Sequence, residues 1–289
     1  MWIIKIFAIF VILLAIDFFY NIWYNKNMNT GISTACMFLR KSTEDAAATI
    51  KELGADTAEV FFQTFYEYRP EFSKALAPTV EGLNINSVHV FSNSFEPNVF
   101  IPSRRTRGDG FYWLDQIMRS AQLLGCKRYT FHGQSGRHNA SHPDYGELAA
   151  YLRSAVEFCA GYGVQLCLEN VFWSTYNRPG VFRELKSRIP ELAGVFDIKQ
   201  ARRSGYPYAM YIEDMSGAIS HVHLSDVDEN GKMCLPGKGL YDFEEILKRL
   251  KGAGFDGSAI IEVYPDDYGD ISELRQSLGF LNEILYKIG

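Results

Sequence analysis

Four ionisable residues lie at the ends of successive apolar runs in the second half of the chain. The runs VQLCL, AGVF, ISHV and SAII are followed directly by Glu169, Asp197, His223 and Glu262. In a sheet of parallel strands the carboxyl ends meet at one edge, where binding sites are built. Three carboxylates and one imidazole are a ligand set that suits a divalent ion such as Mn²⁺, Mg²⁺, Co²⁺ or Zn²⁺.

A plainer interpretation is that these residues form hydrogen bonds that anchor the loops after the strands. We favour the metal site, because carboxylates that meet at one edge would repel one another without a cation.

A regular alternation of strand and helix patterns positions these residues. Eight short apolar runs after Met28 predict strands over 31–36, 57–62, 85–91, 127–132, 164–169, 193–197, 219–223 and 258–262. Amphipathic helix patterns lie between them, and the first has Ser42 or Thr43 as its N-cap and Gly54 just past its end. Eight such units over roughly 250 residues predict an α/β fold, a single closed (β/α)₈ barrel over residues 28–289. The turn MFLRKSTED after the first run has no GxGxxG, which disfavours an open dinucleotide-binding sheet.

Net charge and cysteine usage indicate which partners and which cellular compartment to expect. The 289 residues carry a net charge of −5 with no basic stripe, so we expect no nucleic-acid partner. Five scattered cysteines without CxxC spacing predict free thiols in a reducing compartment, and hence a cytoplasmic protein. A homo-oligomer is compatible with the sequence.

Residues 1–27 form an apolar segment apart from the barrel pattern. IFAIFVILLAI (6–16) is uninterrupted, but Asp17 follows it and would cost a spanning helix roughly 2.5–3.5 kcal/mol. The segment is either a membrane anchor, with the barrel facing the cytoplasm, or an over-long start before a true start at Met28, which we favour. Membrane contact is expected only in the first case, and we expect the barrel to fold without the segment.

Beyond these patterns, the chain resembles the xylose-isomerase-like barrels, which include sugar-phosphate isomerases and epimerases, inosose dehydratases, hydroxypyruvate isomerases and the endonuclease IV branch. The resemblance extends from Met28 to the C-terminus and is carried by CLENV (167–171), VFDIKQA (195–201), HVHLSDVD (221–228) with LPGKGLYDF (235–243), and IIEVY (260–264). It implies one divalent metal ion bound by Glu169, Asp197, His223 and Glu262. The family ligand is the histidine before the L-x-D step, which leaves His221 as an interior residue with a hydrogen-bonded partner.

The resemblance also narrows the reaction. Endonuclease IV-like members bind three zinc ions through extra histidines, where this chain has Gln200 and, in a later loop, Met233 and Cys234, so DNA repair is disfavoured. The implied activity is a metal-dependent isomerase or epimerase of a small sugar or sugar phosphate, in which the metal stabilises an enediolate. Glu169 and Glu262 are then the acid/base pair. A sugar or inosose dehydratase on the same site and a non-catalytic sugar-binding module are the alternatives.

Three further residues are substrate-binding candidates. His132 ends the run YTFH, and Lys199 and Gln200 follow Asp197 directly. A purely structural role competes for His132, and Lys199 is an alternative proton carrier to the two glutamates. His89, inside the run SVHVF, is assigned to the core.

Overall fold

A computed structural model describes residues 28–91, 94–136 and 143–289. Within them, eight parallel strands form a closed barrel in chain order, and the last strand pairs with the first. The strands β1 to β8 are Asn29–Ser33, Thr57–Phe62, Asn84–Val90, Arg128–Phe131, Gln165–Glu169, Ala193–Asp197, Ile219–Leu224 and Ser258–Ile261. The predicted barrel is confirmed. The main difference is that β1 ends early, because the chain turns into a 3₁₀ helix at Thr34–Met37.

Helices surround the barrel. In the described residues, α1 to α9 are Thr43–Glu52, Pro70–Leu76, Arg104–Leu123, Tyr145–Ala160, Val181–Arg188, Ile198–Arg203, Tyr208–Asp214, Phe243–Gly252 and Ser272–Ile288. The first shows how the local sequence defines them. The side chain of Ser42 caps α1 by accepting a hydrogen bond from the Asp45 N–H, and Ala46 and Ile50 lie on its buried face. Gly54, at φ 86°, takes the left-handed conformation that ends such helices.

Alternation along the strands separates an apolar layer from a polar one. Val60, Val88 and Val222 belong to the hydrophobic core cluster that the helices cover. Their neighbours Glu59, Ser87 and His221 face the barrel interior and are buried. The interior is therefore polar, and its polar atoms must find partners inside the protein.

His221 has such a partner, as the sequence predicted. Its Nε2 lies 2.9 Å from the hydroxyl oxygen of Thr130 on β4, and the ring is completely buried. Burial lowers the pKa of His221 to about 4, although Glu59 opposes the change. His221 is therefore a neutral interior residue near neutral pH.

One buried carboxylate, that of Asp226, organises the loop after β7. It accepts backbone N–H bonds from Val227 (2.8 Å), Gly237 (3.1 Å), Gly239 (2.9 Å) and Tyr241 (3.0 Å). A side chain at position 239 would collide with this arrangement, because its Cβ would lie 2.3 Å from the Val227 carbonyl oxygen. The PGKG step is thus explained by loop folding around Asp226.

We expect Asp226→Ala to lower the free energy of unfolding by about 3 kcal/mol, because four N–H groups lose a charged acceptor. Urea unfolding monitored by circular dichroism measures this. Asp228→Ala is the matched control: that carboxylate accepts from Asn230 and Lys232 (2.9 and 2.8 Å) in the exposed turn of the same loop. An equal effect of the two substitutions would contradict the role given to Asp226.

No helix in the part of the chain that the structure describes is long and apolar enough to cross a membrane. Residues 1–27, to which the anchor and over-long-start interpretations apply, lie outside the described residues. The five cysteines are all described and are free thiols, as predicted, and all except Cys234 are buried.

Candidate active site

The four predicted metal ligands converge at the carboxyl ends of β5 to β8. Glu169 and Asp197 are the last residues of β5 and β6, and His223 is the register partner of Asp197 on β7. Glu262 follows β8, where its N–H still donates to the carbonyl of Leu224 at 3.0 Å. One ligand atom from each of the four lies within 4.8 Å of the others.

The Nδ1 atom of His223 lies between the carboxylates. It is 3.3 Å from Oε1 of Glu169, 3.3 Å from Oε2 of Glu262 and 3.8 Å from Oδ2 of Asp197. All four residues are at most 7% exposed. Carboxylates this close and this dry repel one another unless a positive charge lies between them.

Two carboxylate oxygens in this group have no hydrogen-bond partner among the residues that the structure describes. They are Oε2 of Glu169 and Oδ2 of Asp197, and both are buried. A buried acceptor without a donor is unfavourable, whereas a divalent cation would satisfy both oxygens at once. The donor set of carboxylate oxygens and one imidazole nitrogen therefore fits a divalent metal ion.

The ionisation of the group is dominated by burial and mutual charge. Burial raises the pKa of Asp197 to about 6, although Lys199 opposes it. Burial also acts to raise the pKa of Glu262, but the charges of Lys199 and His223 outweigh it and hold that pKa well below its usual range. Burial acts to lower the pKa of His223, but Glu262 and Glu59 raise it well above its usual value. The carboxylates thus favour a positive charge at this position, which a bound divalent ion would supply in competition with a proton on His223.

Lys199 is buried beside the same carboxylates. Its Nζ donates to Oε2 of Glu262 at 3.1 Å, lies 3.8 Å from Oδ2 of Asp197, and lies 4.4 Å from the centre of the Tyr264 ring. The position follows from the local fold, since Asp197 is also the N-cap of α6 and accepts from the Gln200 N–H at 2.9 Å. The first turn of α6 therefore carries Lys199 and Gln200 into the site.

His132 and His89 extend the group towards β4 and β3. Their Nε2 atoms are 2.9 Å apart, and Nε2 of His132 is 3.7 Å from Oε2 of Glu169. Glu96 accepts from Nδ1 of His132 at 2.9 Å. His89 is buried, as the core assignment required, but its Nδ1 lies 3.4 Å from Glu262. The core assignment was incomplete, because His89 belongs to the site.

Glu59, which the sequence patterns do not single out, lies in the middle of β2 and is completely buried. Its Oε2 lies 3.1 Å from Nε2 of His223. Burial acts to raise its pKa, but His223 and His89 outweigh burial and hold the pKa well below its usual range. The sequence feature that could have indicated Glu59 is that it is the single acidic residue within the apolar run TAEVFF.

Two more groups of side chains could contribute to metal binding. Glu59 joins His89, His223 and Glu262 in one group, and His89 joins His132 and Glu169 in another, each with ligand atoms within 4.8 Å of one another. The described residues therefore place more nitrogen and oxygen donors here than a single ion requires.

A cavity of about 90 Å³ opens onto these residues. Its polar floor includes His89, His132, Glu169, Gln200 and Glu262. Its walls are mostly aromatic, and they contain Phe38, Phe61, Phe91, Phe172, Trp173 and Tyr264 together with Ala35 and Arg203. A larger cavity of about 730 Å³ lies at the opposite end of the barrel, beside the first residues of β1 to β3, and none of the predicted site residues lines it. The smaller cavity combines apolar walls with convergent polar groups, which is typical of a small-molecule site.

This arrangement can bind a cation and move a proton. A divalent ion bound here would polarise a carbonyl oxygen in the cavity. Glu169 and Glu262 come from strands separated by β6 and β7, and both line the cavity. Two carboxylates placed in this way can reach a bound molecule from different sides.

Comparison with known proteins identifies the family. The chain matches the family model described as xylose isomerase-like TIM barrel over residues 47–284. A curated relative, the Uncharacterized protein MJ1311 of Methanocaldococcus jannaschii, is 33% identical over 123 residues, which are 38% of this chain and 41% of that protein. The match thus spans about two fifths of that relative's length.

Solved structures share the fold. A D-psicose 3-epimerase from Clostridium cellulolyticum H10 has a TM-score of 0.71 at 17% identity, covering 89% of this chain and 99% of its own. A 3-keto-D-glucoside 4-epimerase from E. coli has a TM-score of 0.68 at 17% identity, covering 89% and 100%. A D-tagatose 3-epimerase-like protein has a TM-score of 0.69 at 23% identity, covering 91% and 100%. With its closed barrel and a family match that spans most of its length, the chain belongs to the xylose isomerase-like TIM barrel family.

Proposed function

We propose that the chain is a divalent-metal-dependent isomerase or epimerase of a small sugar or sugar phosphate. One observation carries the proposal: the buried cluster of Glu169, Asp197, His223 and Glu262, in which two carboxylate oxygens have no hydrogen-bond partner within the described part of the chain. These four residues would bind the ion, for which Mn²⁺, Mg²⁺, Co²⁺ and Zn²⁺ are the candidates. The bound ion supplies Lewis acidity at a substrate carbonyl oxygen.

The proton transfer is assigned to the two glutamates. One glutamate, as the carboxylate, removes the proton from the carbon next to the carbonyl. The C–H electron pair becomes the C=C bond of an enediolate, and the carbonyl π pair moves onto its oxygen. The other glutamate, which must carry a proton, returns that proton from the opposite side. Return to the same carbon gives the epimer and restores the carbonyl. Return to the former carbonyl carbon gives the isomer, in which the neighbouring hydroxyl loses its proton to become the new carbonyl and the former carbonyl oxygen gains one. Glu169 and Glu262 both line the cavity, so each can reach a bound substrate.

Neighbouring residues would orient the substrate. Gln200 and His132 line the cavity beside the glutamates. Lys199 already donates to Glu262 and is 2% exposed, which favours a role in holding that carboxylate over direct contact with a sugar. Trp173 lies with its ring centre 5.7 Å from that of His132, where its face can stack on the apolar side of a sugar.

The relatives support a sugar substrate. The D-psicose, 3-keto-D-glucoside and D-tagatose proteins named above are epimerases or epimerase-like proteins by their descriptions, and they share the barrel of this chain. A DNA-repair activity is not proposed, because Gln200, Met233 and Cys234 stand where that branch uses histidines.

Solvent deuterium exchange tests the proposal. Purified protein with Mn²⁺ in D₂O is expected to incorporate deuterium next to the carbonyl of at least one ketose, in a panel of free and phosphorylated sugars, with formation of an isomer or epimer. Proton NMR and mass spectrometry measure both events. The same protein treated with a chelator is the control and is expected to show neither.

The other outcomes separate the alternatives. Exchange accompanied by loss of water would show a dehydratase that uses the same proton abstraction. Binding of sugars without exchange across the panel would show a non-catalytic sugar-binding module. Equal activity with and without the chelator would contradict the metal-dependent mechanism.

A further inference from the structure

Glu59 contacts the ring of His223, and both oxygens of its carboxylate accept hydrogen bonds. Oε1 accepts from the Ser33 hydroxyl at 3.0 Å and lies 3.3 Å from Nδ1 of His89. Oε2 accepts from the hydroxyls of Ser87 at 2.7 Å and Thr130 at 2.9 Å. Nε2 of His223 lies 3.1 Å from the same Oε2. These donors come from β1, β3, β4 and β7, so the closed barrel holds the carboxylate from several sides.

His223 has two ring nitrogens in different surroundings. Nδ1 faces Glu169, Asp197 and Glu262, whereas Nε2 faces Glu59. A histidine binds a metal through a nitrogen that carries no proton, and a hydrogen bond from the other nitrogen decides which one that is. The carboxylate of Glu59 can only accept from Nε2, so it favours the form with the proton on Nε2 and the lone pair on Nδ1.

We propose that Glu59 is a positioning residue that accepts the Nε2–H of His223 and so directs Nδ1 to the metal ion. The inference rests on the proposed function, because it assumes that His223 binds a metal. It assigns to the buried acid of β2 a role that acts through His223 and not through contact with substrate.

An alternative role for Glu59 is that of a direct ligand, since it also groups with His89, His223 and Glu262. The hydroxyl contacts disfavour this. Three hydroxyls from Ser33, Ser87 and Thr130 already donate to its oxygens. Glu169 and Asp197, in contrast, each keep one oxygen that accepts no hydrogen bond from any residue the structure describes. A cation is expected to bind where acceptors lack donors.

The first test uses the unchanged protein. With [¹⁵N]histidine and Zn²⁺, which is diamagnetic, long-range ¹H–¹⁵N spectra show for each histidine which nitrogen is protonated and which binds metal. The chain has six histidines, so the spectrum is simple, and the His223 signals are those lost in His223→Ala. We expect metal on Nδ1 and a proton on Nε2. Metal on Nε2 would overturn the proposal.

The second test measures affinity for Mn²⁺ alone, from the free-ion EPR signal during titration. Glu59→Gln is isosteric but neutral, and we expect it to weaken binding by about 10–100-fold, the usual effect of losing a carboxylate behind a metal-binding histidine. In the labelled spectra of Glu59→Gln, we expect the His223 ring to populate both tautomers, one with the proton on Nε2 and one with the proton on Nδ1.

Asp214→Asn is the matched control. Like Glu59, Asp214 is a buried carboxylate that accepts a side-chain hydrogen bond, in its case from the Tyr176 hydroxyl at 3.2 Å. Unlike Glu59, it lies on α7 outside the site. We expect the affinity of Asp214→Asn for Mn²⁺ to stay within about twofold of the affinity of the unchanged protein. Unaltered affinity and ring form in Glu59→Gln would refute the role of Glu59.

The outcomes keep this inference apart from the proposed function. If the unchanged protein binds Mn²⁺ through His223 but Glu59→Gln behaves normally, only the positioning role fails. If the unchanged protein binds no metal, the proposed function fails and takes this inference with it. Should Glu59→Gln not fold, the spectrum of the unchanged protein still decides between Nδ1 and Nε2.

Discussion

Glu262→Gln is expected to slow the epimerisation of a responsive sugar, and deuterium exchange into the epimer whose proton Glu262 removes, by about 10²–10⁴-fold, the usual contribution of a general acid or base. Gln keeps the shape of the side chain but cannot take up a proton at neutral pH. Nζ of Lys199, 3.1 Å from Oε2 of Glu262, keeps Asp197 at 3.8 Å as its remaining charged partner. The measurement is the initial rate of deuterium incorporation at saturating Mn²⁺, with bound metal determined in the same samples.

The design separates proton transfer from metal loss. At equal metal occupancy, Glu262→Gln should still exchange the proton of one epimer through Glu169 while conversion between epimers stops. Glu213→Gln, an exposed acid on α7, is the control and should be as active as the unchanged protein. Normal epimerisation by the metal-loaded Glu262→Gln variant would contradict the two-carboxylate mechanism.

His223→Ala is expected to weaken the binding of Mn²⁺ by at least about 100-fold, because a direct ligand contributes no less than the groups behind it. The substitution removes the nitrogen that lies within 3.8 Å of all three carboxylates. Activity should fall with metal occupancy. Equilibrium dialysis against Mn²⁺ followed by elemental analysis gives the metal content.

His221→Ala provides a stringent control, because it removes another buried histidine of the same strand and the same face. Its Nε2 forms a hydrogen bond with Thr130 and lies 3.6 Å from Oε2 of Glu59, but it belongs to none of the groups of candidate ligands among the described residues. It should lower thermal stability and leave metal content close to normal. Equal metal content in His223→Ala and the unchanged protein would count against the site.

The strand-end residues could be predicted because they obey a local rule. A polar residue directly after an apolar run marks a strand end, and parallel strands put their carboxyl ends together. Glu169 and Asp197 were found in this way, and the structure places both at strand ends. The buried lysine was also within reach of the sequence, since it is two residues from Asp197.

The polar interior layer could not be predicted in the same way. Glu59 and His89 lie inside strands. What distinguishes them from core residues is that their side chains point towards the barrel axis and not towards the helices. That direction depends on the register between strands, and the pairing of β2 with β3 shifts between Ala58 and Glu59. A one-residue shift exchanges the inner and outer faces of a strand.

The sequence by itself determined the barrel, the start and end of α1, and the four polar residues at the carboxyl ends of β5 to β8, because each depends on periodicity and short-range order. Only the tertiary structure decided which donors surround Glu59, which nitrogen of His223 faces the carboxylates, and that His89 reaches Glu262. These features join residues from distant strands: Glu59 and His223 are 164 positions apart in the chain but 3.1 Å apart in the barrel. Closing the ring sets such contacts, because it fixes the register of every strand at once.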